Sequence, residues 1–504
     1  MFPSSPQIIM APSLDYVASE RQQHDLPSLK LKLQGLAATA LDMNPDKLRN
    51  KTNKSWLALG GDSLTAVNFM GHCHEAGIVV DIPGILQAKS LDDLIDHISR
   101  SHQSRRPASN GIENSYGPPE GPLLDKLRGV LHGPLDEIQG IGPCSPMQEN
   151  FIALQSIDPR AYQLQLAATI SSMDPAVVVT PDAVKTSWRA VVQRHAALRT
   201  MFIESVDRPG RLDQVVWGNI NPQISVLPLS EAEKKASFEE YSSEFPHHLI
   251  LAQAPNNKLF VRLIISHAIV DAVSIEIVFR DLFRDLTKTL PADEHMQCRD
   301  FLQAQQPNTS HEALSYWSRY MAEAEGSFLS SSSSKTSPTG LYVIDQEMAI
   351  PPELALNFSE NSNATLVNAC QVAYALVLRC YTGSNNVFFS YTASGRQKRI
   401  KGLQDAVGNF VNTLPCRVDF EQTITITESL ERIQRDFLDS LPHQGASLNG
   451  NKEVNGASAR QLGDSLLSFQ QGGGTETELV REGFLVDVLS WEAPSDVCDK
   501  PNWG

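Results

Sequence analysis

Between Ser28 and Ser101 the apolar residues return every three or four positions, the spacing of helices with one buried face. The run SLKLKLQGLAATALDM carries Leu29, Leu31 and Leu33 mixed with Leu36, Ala37, Ala40 and Leu41 and predicts a first helix. DSLTAVNFMGHCHEAG carries Leu64, Val67, Phe69 and Met70 and predicts another, stopped near Gly77. SLDDLIDHISRS predicts a third, with Ser90 as N-cap and acids in its first turn, where carboxylates suit the positive helix end. Residues 27–101 therefore read as a small all-α bundle. Residues 1–26, polar and without period, are expected to be a disordered leader. Residues 102–134, rich in Ser, Asn, Gly and Pro, are expected to be a flexible linker.

From 135 onward the pattern changes to α/β. Strand-like runs such as YQLQLAATI, NKLFVRLIIS and NNVFFSYTAS alternate with helical runs such as DAVKTSWRAVVQRHAALRTMF, VSIEIVFRDLFRDL and NATLVNACQVAYALVLRCY. The serine run in GSFLSSSSSKTSPTG breaks this region and predicts two lobes, about 135–325 and about 340–504.

The chain has 504 residues, 41% of them apolar and 20% charged, enough for more than one core. A formal net charge of −16 argues against nucleic acid or an anionic membrane as partner, since both require clustered positive charge. No apolar run reaches the roughly 18 residues of a membrane span. The opening residues lack a basic start followed by an apolar run, so no secretory signal is expected. Seven cysteines without a C-x-x-C pair suggest reduced thiols, not disulfides or a zinc site, and so a cytoplasmic setting.

LALGGDSLTAV sets Ser63 where a Gly-Gly turn enters a helix. Two glycines allow a tight exposed turn, and the helix end offers N–H groups and a positive dipole to a phosphate esterified to that serine. Asp62 could fix the turn or orient an incoming enzyme. An ordinary helix cap is the bland alternative. A GDSL-type hydrolase nucleophile is another, but it would need an upstream apolar strand and further catalytic blocks. The letters recur in Gly463-Asp464-Ser465-Leu466, without the Gly-Gly turn and ahead of a strand-like LLSFQQ, and there they read as structure.

Residues 28–101, through WLALGGDSLTAV and the tail DIPGILQAKSLDDLIDHI, resemble the carrier (thiolation) domain of nonribosomal peptide synthetases. The resemblance implies 4′-phosphopantetheine, covalently attached to Ser63 and holding an aminoacyl or peptidyl thioester. It also implies a phosphopantetheinyl transferase as partner.

SHAIVDA at 266–272 places His267 after an apolar strand and Asp271 four residues on. Alone, such a histidine reads better as a satisfied core residue. Further blocks, GPCSPMQENF, RHAALRTMF, SYTASGRQKRI and VGNFVNTLPCRV, make 135–504 resemble the condensation domain, two lobes each like chloramphenicol acetyltransferase with a tunnel on their seam. The resemblance implies that His267 orients an attacking amine or takes its proton. It implies also that Asp271 pairs with an arginine of the second lobe, for which Arg396 is the candidate, and that Asn412 lines the tunnel. Ser266 stands where the usual pair has its first histidine, as in fungal terminal condensation-like domains that cyclise and release a finished chain. Intermolecular amide or ester formation stays open.

Two departures favour a rival, a non-catalytic carrier and binding module on a degenerate condensation scaffold. Ala272 replaces a glycine and would be strained if that turn needs positive φ. The chain also stops soon after SFQQ, which leaves the second lobe short of its expected closing elements. An epimerase-like member of the superfamily is a further alternative that Ser266 disfavours. No adenylation domain is visible, so upstream synthetase modules are expected to choose and load the substrate. His247 and His248 lack an acid at the required distance and are expected at the surface or in a loop.

Overall fold

A computed structural model describes residues 26–102, 116–329 and 364–446 with short gaps, single residues between 351 and 358, and the segments 465–469 and 478–492. Apart from its last residue, the expected leader lies outside the described residues.

The first unit is built from α1 (Leu26–Ala40), α2 (Pro45–Arg49), α3 (Ser63–Glu75), α4 (Ile82–Gln87) and α5 (Leu91–His102). Leu33, Ala37, Leu48, Leu57, Phe69 and Ile85 are fully buried at its centre around Trp56, whose ring lies 5.1 Å from Phe69. The apolar stripes read from the sequence meet here, except that Leu31 of α1 is exposed. Asn44 caps α2 and Asp81 caps α4, each through its side-chain oxygen. Part of the expected linker is structured. α6 (Gly121–Leu127) and the turn after it bury Leu127 and Leu131 against Ile138, Val215 and Trp217, because their few apolar residues find a ready surface on the larger body.

The larger body begins with β1 (Ile138–Pro143), α7 (Pro146–Ile157), β2 (Gln163–Ser172), α8 (Pro181–Arg194), β3 (Thr200–Glu204), β4 (Leu212–Trp217), β5 (Ile224–Val226), α9 (Leu229–Ala232), β6 (His247–Gln253), β7 (Leu259–Ser266), α10 (Ala272–Leu286) and α11 (Cys298–Gln305). The second lobe holds α12 (His311–Ala322), α13 (Leu366–Thr382), β8 (Asn386–Ala393), β9 (Asn412–Asp419), α14 (Ile426–Ser440) and β10 (Leu466–Leu467). β11 (Glu478–Arg481) and β12 (Phe484–Glu492) follow. Among the described residues the sheets run β1-β4-β3, β10-β8-β9 and β11-β12-β2-β7-β6-β5. β7 lies inside the largest sheet, antiparallel to β2 with Gln163 opposite Ser266, and to β6 with His247 opposite Ile265. Every residue of β7 is buried, as expected for a strand covered on both faces.

The two lobes exchange segments, and this corrects the boundaries read from sequence. α12 lies before the serine run, yet Ala313, Trp317 and Met321 on its one face are buried with Val372, Phe388 and Leu414 of the second lobe. Trp317 Nε1 also donates to the His443 carbonyl at 2.9 Å. Conversely, Leu403, Ala406, Val407 and Phe410 pack into the first lobe's core. β12, assigned by position to the second lobe, pairs with β2 (Phe484 opposite Ser172) and so widens the first lobe's sheet. Ser465 and Leu466 of the decoy GDSL lie at β10, which runs parallel to β8. Among the described residues no helix is long and apolar enough to cross a membrane.

Candidate functional site

At the small bundle, Leu57–Leu59 form a 3₁₀ turn closed by Gly60 at φ 87°, a left-handed conformation that glycine adopts without a Cβ clash. Gly61 has no room for a side chain: an added Cβ would lie 2.3 Å from Trp56 Nε1 and 2.8 Å from the Trp56 carbonyl oxygen. Asp62 caps α3. Its Oδ1 accepts the Thr65 N–H at 2.8 Å, while its own N–H donates to Thr65 Oγ1 at 2.7 Å. Ser63 is the first residue of the helix. A short turn that cannot thicken thus presents the serine at the positive end of a 13-residue helix, which fits a phosphodiester. The cap spends Asp62's side chain on the turn, the first of the two roles considered for it.

In the larger body, β7 delivers His267 and a three-residue turn leads to Asp271 at the head of α10. The His267 N–H donates to the Tyr162 carbonyl at 2.8 Å, and its carbonyl accepts from Asn409 Nδ2 at 2.6 Å. Phe151 of α7 packs its ring 5.0 Å from the imidazole and 4.5 Å from Tyr162. Tyr162 itself sits at φ 52°, a costly conformation for a bulky side chain. Imidazole Nδ1 is buried with no well-aligned hydrogen-bond partner. Burial pushes the His267 pKa below its ordinary value, opposed by nearby backbone groups and by the charge of Asp271.

Ser266 faces elsewhere. Its hydroxyl is buried against Gln155, with Gln155 Nε2 at 2.8 Å, and accepts the Ala268 N–H at 3.1 Å. It shapes the turn behind the imidazole.

Asp271 has two tasks. Its Oδ1 caps α10 by accepting the Ser274 N–H at 2.8 Å, and its carboxylate takes Arg396 NH2 at 2.9 and 3.1 Å. Both side chains are at least 97% buried. Arg396 also donates NH1 to the carbonyls of Leu403 and Ala406, and its guanidinium lies 4.6 Å from the Phe410 ring centroid. Ser274 completes the cluster, donating to the Gly408 carbonyl and accepting the Gly408 N–H. Gly395, before the arginine, has φ +67°, and a Cβ there would lie 1.7 Å from the Phe410 carbonyl oxygen. Ala272 needs no positive φ, because it is the first residue of α10 and lies outside the left-handed region. The strain expected there from the sequence is absent.

Asn412 opens β9, and it lines a narrow cleft on the lobe seam, about 40 Å³ in volume. Its Oδ1 accepts the Thr413 N–H at 3.0 Å, and its Nδ2 is buried without a partner. Asn409 lines the same cleft and reaches the His267 carbonyl, so cleft and imidazole are one residue apart. Asn409, Tyr162, Gln155 and Ser274 carry no spacing signal toward the histidine. Asn409 and Tyr162 bond the histidine itself, Gln155 acts through Ser266 and Ser274 through Asp271, and only folding brings these four segments together.

His247 and His248, expected at the surface or in a loop, are instead 3% and 2% exposed at the start of β6. His247 Nε2 meets the Leu198 carbonyl at 2.8 Å and His248 Nε2 meets Ser225 Oγ at 2.9 Å. The sheet is covered on both faces here, so even these two histidines are buried.

A family model for the condensation domain matches residues 138–479, and one for the phosphopantetheine attachment site matches residues 32–98. The FR901469 synthetase of Dothideomycetidae sp. (strain 11243) is 36% identical over 469 residues, covering 89% of this chain and 3% of that protein. Nonribosomal peptide synthetase cm3A of Cordyceps militaris is 33% identical over 452 residues, covering 84% of this chain and 9% of that protein. The chain thus spans under a tenth of the length of these relatives. Among solved structures, holo T3CT superposes with a TM-score of 0.54 at 19% identity, covering 70% of this chain and 80% of that one. The starter condensation domain of rhizomide synthetase RzmA gives 0.53 at 17%, covering 71% and 84%. At such identities the likeness concerns the fold, the two-lobed chloramphenicol-acetyltransferase-like arrangement expected from the sequence.

Proposed function

The chain belongs to the condensation-domain family, with a phosphopantetheine attachment domain ahead of it, and from that premise we propose that it forms an amide bond from a thioester, using His267. The arm on Ser63 would supply the thioester within reach of the seam. His267 is held through its backbone at both sides, by Tyr162 and Asn409, and through its ring by Phe151. A rigid, largely neutral imidazole can accept a hydrogen bond from an amine and carry away the proton it sheds as the C–N bond forms and the C–S bond breaks. The placement of His267, whose carbonyl is bonded by Asn409 from the wall of the seam cleft, is the observation on which the reading stands. Asp271 and Arg396 have positioning roles: they join α10 to the loop that carries Asn409.

The order of carrier then condensation unit, with Ser266 before His267, supports terminal cyclisation, in which the amine belongs to the same peptidyl chain. The relaxed Ala272 removes one of the two grounds for a degenerate scaffold. Two measurements test the reading. Incubation with a phosphopantetheinyl transferase should add one arm to the wild type and none to Ser63→Ala, as read by mass spectrometry. Loaded with a peptidyl arm, the wild type should release a product one water lighter than the linear acid. His267→Ala should release it about a hundred-fold or more slowly, the usual worth of a positioned acid–base group. Equal release by the two folded proteins would leave His267 without a chemical role.

A further inference from the structure

The seam cleft carries a positive charge without its counter-charge. Lys398 lines it, and Nζ donates to the carbonyls of Ala304 at 2.6 Å and Gln306 at 2.8 Å, at the C-terminal end of α11. These two bonds leave the ammonium a third hydrogen. Among the described residues no carboxylate bears on it, and burial alone brings its pKa down to about 8. A buried charge is ordinarily paired, because leaving it alone in a poorly hydrated site is costly. Further donors line the cleft, beside one unpartnered acceptor, Asn409 Oδ1. Gln305 is 4% exposed and its Nε2 has no partner, and Asn412 Nδ2 is likewise buried and unpartnered. The N-terminal end of α7, at Ser145 and Met147, contributes a positive dipole end to the same wall.

We propose that this cleft is a carboxylate-binding subsite, in which Lys398, Gln305 and Asn412 hold an acidic group of the substrate beside His267. The inference rests on the amide-forming reading above and narrows its substrate. In a chain cyclised from its thioester, the main-chain carboxyl is already esterified to sulfur and the amine is the nucleophile. The carboxylate must then come from a side chain, so the cleft selects a peptidyl chain containing an aspartate or glutamate residue. An ammonium with two amide donors suits a carboxylate through charge-assisted hydrogen bonds.

The test uses the full chain and a pair of short blocked peptides that differ only in glutamate against glutamine, with binding read by ligand-observed NMR so that no turnover is needed. The wild type should bind the glutamate peptide at least about ten-fold more tightly. Lys398→Met and Gln305→Leu, checked for folding by circular dichroism, should each lose that preference, and Lys398→Arg should keep it. His267→Ala should retain the preference while losing product release, so failure of the catalytic reading and failure of the subsite are separable. Equal binding of the two peptides by wild type, or a preference untouched by Lys398→Met, overturns the proposal. Displacement of the glutamate peptide by inorganic phosphate at equal concentration also overturns it, because the cleft would then read a phosphate.

Discussion

At the scale of single residues, Asp271 shows why the aspartate stands four positions after the histidine. The strand ends at the imidazole, the chain needs three residues to turn, and the next residue must cap α10 while meeting Arg396 from the other lobe. Asp271→Ala would remove a cap and leave a guanidinium buried without its anion. The expected loss is about 3–5 kcal/mol in a chemical-denaturation series. Asp271→Asn, which keeps a capping oxygen, should lose less. Loss of Asp271 without change in the unfolding midpoint would contradict the packing described. His267 gives a prediction of pH dependence. Its pKa is depressed by burial, so the imidazole stays neutral below the ordinary histidine value of about 6.5. If neutral imidazole is the working form, kcat/KM should hold constant on descending through pH 6.5 and fall only at lower pH. An acid limb centred above 6.5 would place another group in control.

At the scale of elements, much of this site was legible and some was not, for reasons that particular strands make plain. The largely apolar run of β7 and the periodic run of α10 are local patterns, so the ends that carry His267 and Asp271 could be read directly. Gly395 was visible only as a letter in SGR, and its need for φ +67° and bare space against Phe410 belongs to the folded loop. The start of β6 was not legible, because the lack of an acid at the required distance says nothing about burial, and it is Trp188 of α8 that covers His247 edge-on at 5.7 Å. The burial has a consequence for stability. Desolvation brings the His247 pKa down to about 4, against about 6.5 in the unfolded chain. As pH falls through 6.5 the unfolded state takes up the proton first, so stability declines from there and levels off below pH 4. The full contribution is of order 3 kcal/mol. His247→Gln, whose amide can still reach the Leu198 carbonyl, should flatten the stability profile between pH 6.5 and 4. An unchanged slope would show that the ring is protonated in the folded state.

At the scale of the whole molecule, the carrier unit rests against the second lobe. Leu438 of α14, 7% exposed, belongs to the same buried cluster as Leu33 and Phe69 of the small bundle, with Phe437 and Leu441 beside it. Gly71 of α3 abuts Gln404, and a Cβ there would lie 2.1 Å from Gln404 Cγ. Gln404 in turn donates to the Arg396 carbonyl at 3.0 Å, so the contact touches the loop that the Asp271–Arg396 pair secures. Ser63 and Gly71 are eight residues apart on one helix, about 12 Å along its axis. The docked helix therefore fixes where the serine can stand relative to the seam, and a small change at Gly71 should act on the reaction from a distance. Leu438→Asp places a charge in that shared cluster, and Gly71→Val sets a branched side chain against Gln404. Each should leave the arm's attachment to Ser63 intact by mass spectrometry. Each should also raise the rate of limited proteolysis between residues 103 and 115 and slow release of an already loaded chain. The same variants should leave release unchanged when the thioester is offered as a free small-molecule surrogate, because the seam itself is intact. If loaded-chain release by Gly71→Val equals wild type while proteolysis is faster, this resting contact is not the geometry from which the arm is delivered.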